Sequence, residues 1–255
     1  MATLVTDWLT DPDAGHGLLL FPIALYLAAR RGLVALPKPQ HTLGLGLLAA
    51  AVLLRYVSGL AAELFTMRMS LIAAAMGLVV YAWGVRQLLR WWLSWLLILL
   101  SVPLPVVVLG SLALPLQLRA SRWGAGLLAL RHVPVRLAGN VIQLPGRSLF
   151  VTEACSGLRS LTALIALGLL VGGLWLRSGW SRAALVLAAI PVAMVLNAFR
   201  VFLTGFLSFY VNPGLAEGFM HYSEGWVIFV VAFAILGAGA FVLDTIERRL
   251  RRAPA

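Results

Sequence analysis

The residues best suited to chemistry lie in one stretch, Val151 to Ser160, which reads Val-Thr-Glu-Ala-Cys-Ser-Gly-Leu-Arg-Ser and holds the only cysteine of the chain, Cys155. It falls where a long amphipathic connection gives way to an apolar run of membrane length. A thiol at a helix N-terminus feels the positive end of the helix dipole, which favours the nucleophilic thiolate. Ser156 and Gly157 are small and leave room for a substrate backbone beside the sulfur. Two later features offer partners: Arg200 in Asn197-Ala198-Phe199-Arg200, and His221 in Met-His-Tyr-Ser-Glu-Gly-Trp. Cysteine, arginine and histidine together suit acyl transfer through a thioester.

The elements that must position these groups are helices in a bilayer. Of the 255 residues 62% are hydrophobic and 11% charged, and the mean hydropathy is +0.96. A soluble domain carries roughly twice that share of charge. The composition therefore predicts an all-α, polytopic transmembrane bundle forming one domain over residues 1–255. The net charge of +11 is almost all arginine, with Lys38 the only lysine. Because the charges fall between apolar runs, they set topology rather than bind nucleic acid. One cysteine forms no internal disulfide, and the acidic start does not read as a cleavable signal peptide.

Seven spans are clear, near the roughly 20 residues a bilayer crossing needs: about 17–36, 42–62, 70–85, 91–116, 158–176, 183–203 and 226–242. The first fifteen residues read as a short polar segment with Asp7, Asp11 and Asp13. Pro103, Pro105 and Pro115 kink or interrupt the fourth span. From Gln117 to Thr152 the chain is non-spanning. Arg119–Leu130 reads as a surface helix, and 133–151, with turn signals at Gly139-Asn140 and Pro145-Gly146, as a small β-hairpin. Residues 216–223 read as a short polar connection.

Basic clusters follow spans one, three, five and seven, and by the positive-inside rule that side is cytoplasmic. Cys155, Arg200 and His221 then share the outer face. Arg119, Arg122, Arg131, Arg136 and Arg147 run against this bias. Either they meet lipid headgroups or substrate, or an eighth span lies hidden between Trp91 and Leu130.

Glu153-Ala154-Cys155-Ser156-Gly157-Leu158-Arg159-Ser160, Asn197-Ala198-Phe199-Arg200 and His221 before Gly225-Trp226 resemble the exosortase/archaeosortase family, as do His16-Gly17, Pro103-Leu104-Pro105 and Ile190-Pro191. The resemblance covers nearly the whole chain. It implies a cysteine protease-transpeptidase of the bacterial cytoplasmic membrane. Its substrates would be exported proteins ending in a Pro-Glu-Pro-type (PEP-CTERM-like) motif, an apolar helix and a basic tail. In those roles Cys155 is the nucleophile, Arg200 stabilises the oxyanion or orients the substrate, and His221 transfers protons. No cofactor, metal or nucleic acid is expected; membrane lipids are.

Each residue also has a plainer reading. Cys155 alone reads as a buried cysteine, His221 as an interfacial histidine, and Arg200 as a cation snorkelling to headgroups. Arg159, one turn after Cys155, can hold the thiolate, dock a substrate carboxylate, or pair with Glu153 or Glu224. Arg55, inside span two, is a functional candidate by position, but a structural ion pair with Glu63, Glu153 or Glu224 is preferred. Ser156 and Ser160 as nucleophiles rank behind the thiol. His16, His41 and His132 are too scattered for a metal site, and Gly44-Leu45-Gly46 reads as helix packing rather than phosphate binding. Two rivals remain: a transporter or flippase with Arg55 and Arg159 lining a polar path, and a non-catalytic envelope-assembly protein.

Overall fold

The structure is a computed structural model that describes residues 2–11, 14–151, 158–211 and 219–252. The described residues are mostly helical, with ten helices and one small sheet, and the chain divides into two compact units, 1–105 and 106–255.

In the first unit, the segment read as merely polar is a helix, α1 (Ala2–Thr10). Leu4 and Trp8, one turn apart, bury with Ala14 and pack on Phe21, and the Trp8 indole donates to the Ser101 carbonyl at 2.7 Å. α2 (Gly17–Arg31) starts on a glycine because a Cβ there would lie 2.2 Å from the Trp8 indole nitrogen. It stops at Gly32, whose φ of +62° suits a residue without a Cβ. α3 (His41–Leu60) and α4 (Leu64–Trp83) form an antiparallel hairpin. A Cβ on Gly44 would sit 2.6 Å from Tyr81 backbone atoms, so the packing reading holds there; Gly46 has nothing within 4 Å and plays no such part. The Glu63 carboxylate caps α4, accepting from the Phe65 amide at 3.1 Å and the Thr66 amide at 2.7 Å. α5 (Val85–Arg90) and α6 (Trp92–Leu100) complete the unit, with α6 against α2. At the end carrying Arg30, Arg31 and Arg90, the Arg31 guanidinium donates to the Arg90 carbonyl and the Arg90 Nε to the Arg31 carbonyl, at 2.9 and 2.8 Å.

The fourth expected span is not one helix. α6 ends at Leu100, and α7 (Val106–Leu130) starts afresh after Pro103-Leu104-Pro105. Two prolines in three residues remove two donors and push their predecessors out of the helical region. The supposed surface helix 119–130 is the second half of α7, which runs on through Pro115.

In the second unit, the expected hairpin is a three-stranded antiparallel sheet of β1 (Arg136–Ala138), β2 (Val141–Leu144) and β3 (Arg147–Phe150), in the order β1-β2-β3. Both turn signals close tight connections, with Gly139 and Gly146 at φ +63° and +79°. Ile142 and Leu144 point into a core with Ala120 and Leu128 of α7 and with Val201. Three helices follow: α8 (Leu158–Trp175), α9 (Gly179–Tyr210) and α10 (Phe219–Arg252). They bury Leu164, Leu185, Ala189, Ala193, Ala232 and Leu236 among themselves. α10 begins inside the stretch expected to be a polar connection and carries His221 on its backbone.

Among the described residues, four helices are long and apolar enough to cross a membrane: α3, α4, α9 and the Val227–Arg251 part of α10. The expected count of seven or eight spans is thus reached only in part. α2 has 15 residues, the apolar part of α8 runs only from Ser160 to Trp175, and the fourth span is broken.

Candidate active site

The sheet delivers the chain to the cysteine motif. Val151 is buried directly after β3; its amide donates to the Asn140 carbonyl at 3.0 Å, and the Asn140 side-chain amide donates to the Val151 carbonyl at 3.2 Å. The root of the motif is therefore tied to the β1–β2 turn and packed on α7. Cys155, with Glu153 and Ser156, lies outside the described residues. The chain is next described at Leu158, where α8 begins.

Arg200 and Asn197 sit on one face of α9, three residues apart. Asn197 is buried and Arg200 half-buried. Both line a cavity of about 20 Å³, room for one water. Its other walls are Ser160 and Leu164 from the start of α8, and Ile228, Phe229 and Ala232 from α10. Ser160 is five residues past Cys155, and Ile228 is seven past His221. Asn197 also lines a second small cavity against Arg119, Ala120 and Trp123 of α7 and Leu161 of α8. The structure thus brings Asn197, Arg200 and Ser160 together. The side chains of Arg159, His221 and Glu224 lie outside the description.

Why the chain folds this way here follows from small residues. A Cβ on Gly124 would lie 2.6 Å from Val201 Cγ1, and one on Gly205 would lie 2.8 Å from Leu128, so α7 and α9 approach closely over the turn and a half that follows Arg200. The Thr204 hydroxyl donates to the Arg200 carbonyl at 2.9 Å. The opposite end of the unit is basic, with Arg177, Arg182, Arg248, Arg249 and Arg251. There Glu247 of α10 accepts from the Arg177 and Ser178 amides at 3.1 and 3.0 Å.

One ion pair escaped the sequence reading. Arg68 on α4 pairs with Asp7 on α1, joining residues 61 positions apart. Arg55 does not pair with Glu63, whose carboxylate is occupied by the α4 amides and the Thr66 hydroxyl. That hydroxyl, then the Thr66 amide, holds the Glu63 carboxyl below the usual glutamate range, against a smaller opposing effect of burial. Among the described residues no three His, Cys, Asp or Glu side chains gather as a metal site. The scattered histidines take separate contacts: His16 meets the Leu100 carbonyl at 3.1 Å, and His41 stacks edge-on against Tyr81.

Membrane-length apolar helices with a small cavity lined by Asn197, Arg200 and Ser160 between them define a polytopic membrane protein with a polar site among its helices. The family model for transmembrane exosortases matches residues 8–238, a stretch that crosses both units and contains Cys155, Arg200 and His221. The chain belongs to the transmembrane exosortase family. No curated protein matches it. No solved structure matches it either. Membership of this family implies a peptidase or transpeptidase held in a membrane.

Proposed function

We propose that this protein is a cysteine transpeptidase of the bacterial cytoplasmic membrane that removes the C-terminal sorting tail of exported proteins. The observation that carries the reading is the cavity in which the first turns of α8, the Asn197–Arg200 face of α9 and the third and fourth turns of α10 meet. Those are the three places from which Cys155, Arg200 and His221 would act on one peptide bond.

The Cys155 thiolate attacks the scissile carbonyl carbon, forming a C–S bond and a tetrahedral oxyanion. Arg200, oriented by Asn197, and the amides at the start of α8 stabilise that charge; one such donor typically supplies about 3–4 kcal/mol. The C–N bond then breaks, and His221 gives its proton to the departing amine, leaving a thioester. His221 next takes a proton from the acceptor nucleophile (water, lipid or glycan), whose attack breaks the C–S bond and restores the thiolate. The substrate's apolar helix packs among the spans and its basic tail stays in the cytoplasm, with the site on the outer face. Arg159 and Glu153 flank the nucleophile as supporting groups.

The test is co-expression with a protein carrying a PEP-CTERM-like tail, with tail loss read by mass spectrometry. Wild type removes the tail and Cys155→Ala does not. Tail removal that survives Cys155→Ala overturns the reading, and a transporter or assembly role would then be the better account.

A further inference from the structure

The first unit holds a larger chamber that the proposed chemistry does not use. Its volume is about 330 Å³, within the range of small-molecule sites. Leu4, Phe21, Ile72 and Ile98 make its apolar wall, contributed by α1, α2, α4 and α6. Val52, Leu64 and Leu71 also line it and are exposed on the lipid-facing surface of the α3–α4 hairpin, so the chamber opens sideways toward hydrocarbon.

Among the described residues two charged side chains line this space, Arg55 and Arg68. α3 ends at Leu60 and α4 begins at Leu64, so Arg55 lies five residues before the hairpin turn and Arg68 four residues after it. At 1.5 Å per residue both stand roughly 6–8 Å below the turn, the depth of an interface rather than of mid-bilayer. Arg68 is compensated by Asp7, yet its Nε is buried with no hydrogen-bond partner among the described residues. Among the described residues Arg55 has no carboxylate partner. The nearby acid, Glu63, is occupied in capping α4. Arg55 is exposed at that depth, and among the described residues the protein supplies the cation and an adjoining apolar chamber but no anion for Arg55.

We infer that this chamber binds an anionic phospholipid, its phosphate on Arg55 with help from Arg68 and one acyl chain in the cavity. Charge complementarity and the lateral opening select an amphiphile over a water-soluble anion. A guanidinium matches a phosphate through two parallel N–H donors. The site lies at the end of the unit away from the Arg31–Arg90 cluster, so the lipid belongs to the leaflet opposite that cluster.

The experiment is native mass spectrometry of the full-length protein released from detergent. It is titrated with phosphatidylglycerol, with phosphatidylcholine of the same chains, and with inorganic phosphate. Wild type should retain phosphatidylglycerol at least about fivefold better than phosphatidylcholine and should not retain inorganic phosphate. Arg55→Gln should lose about tenfold in phosphatidylglycerol affinity, roughly 1.4 kcal/mol, and leave phosphatidylcholine unchanged. Arg55→Lys should keep a preference for the anionic lipid, which separates loss of charge from loss of fold. Ala74→Leu, which fills the chamber, should weaken both lipids. Equal binding of the two lipids by wild type, equal phosphatidylglycerol affinity in Arg55→Gln, or phosphate binding as tight as the lipid would each overturn the inference.

Discussion

Glu247 offers a perturbation whose size follows from geometry. α9 begins at Gly179, and Ser178, its N-cap, makes no side-chain capping bond. Glu247 of α10, 69 residues beyond Ser178 and only 7% exposed, accepts from the Arg177 and Ser178 amides instead. Its charge also faces the positive end of the α9 dipole. A hydrogen bond to a charged group contributes about 1.5–3 kcal/mol. Two bonds sharing one carboxylate are not additive, so Glu247→Ala should cost roughly 2–4 kcal/mol. At about 2–4 °C per kcal/mol for a chain of this size, the melting temperature should fall by roughly 4–16 °C. Glu247→Gln keeps one acceptor oxygen and should fall about half as far. The assay is a thermal melt of purified protein in detergent, with single-turnover tail cleavage measured below the melt. Because this joint lies at the basic end of the unit, away from the Arg200 cavity, cleavage per folded molecule should not change. A Glu247→Ala melt within about 1 °C of wild type would refute the reasoning, and an unchanged melt with lost cleavage would relocate the site.

Arg200→Lys should slow single-turnover cleavage about tenfold or more with an unaltered melt, because lysine keeps the charge but not the planar fork; equal rates would return Arg200 to a snorkelling cation. Glu63 has its carboxyl depressed in the folded state, so its contribution is full above the ordinary glutamate value of about 4.3 and is lost as pH falls through the depressed value. Melts of Glu63→Gln should therefore lose less stability on acidification than wild type, and parallel curves would remove Glu63 from the acid limb. Gly124→Ala puts a Cβ 2.6 Å from Val201 and should cost about 1–3 kcal/mol by overpacking α7 against α9. Adding Val201→Ala should recover part of that loss in chemical denaturation, and a double variant no more stable than the single would argue against the clash.

Much of the fold was written in local signals. Apolar runs located α2, α3, α4, α8, α9 and α10, matching α3 and α8 to within two residues at both ends, while α4, α9 and α10 run up to ten residues beyond the expected spans; the two glycine turns located the sheet. The broken fourth span was harder, because hydropathy continues unchanged through Pro103-Leu104-Pro105 while the backbone does not. α1 was hidden by Asp7 and the aspartates that follow the helix: only Leu4 and Trp8 carry its buried face, and what they bury against lies elsewhere in the chain. The Arg68–Asp7 pair has no local signal at all, since it depends on how α1 meets α4. For the site, spacing within one helix joined Asn197 to Arg200. That Ser160 lines the same cavity required the packing of α8 on α9. His221 was read as part of a loop because Met-His-Tyr-Ser-Glu is polar, yet the backbone there is already helical in α10. A polar sequence is compatible with a helix that extends past the hydrocarbon.

The stretch from Val106 to Val151 carries five arginines and one histidine but not a single aspartate or glutamate. Arg119, Arg122, Arg131 and Arg136 are exposed on α7, the turn after it and the sheet, and Arg147 is half-buried. Arginine stays protonated at any pH a cell meets, so this surface has almost no acid–base lever. Its pull on an anion is set by ionic strength, whose screening length is about 10 Å at 0.1 M salt and about 3 Å at 1 M. Such a surface is deaf to proton concentration and responsive to salt.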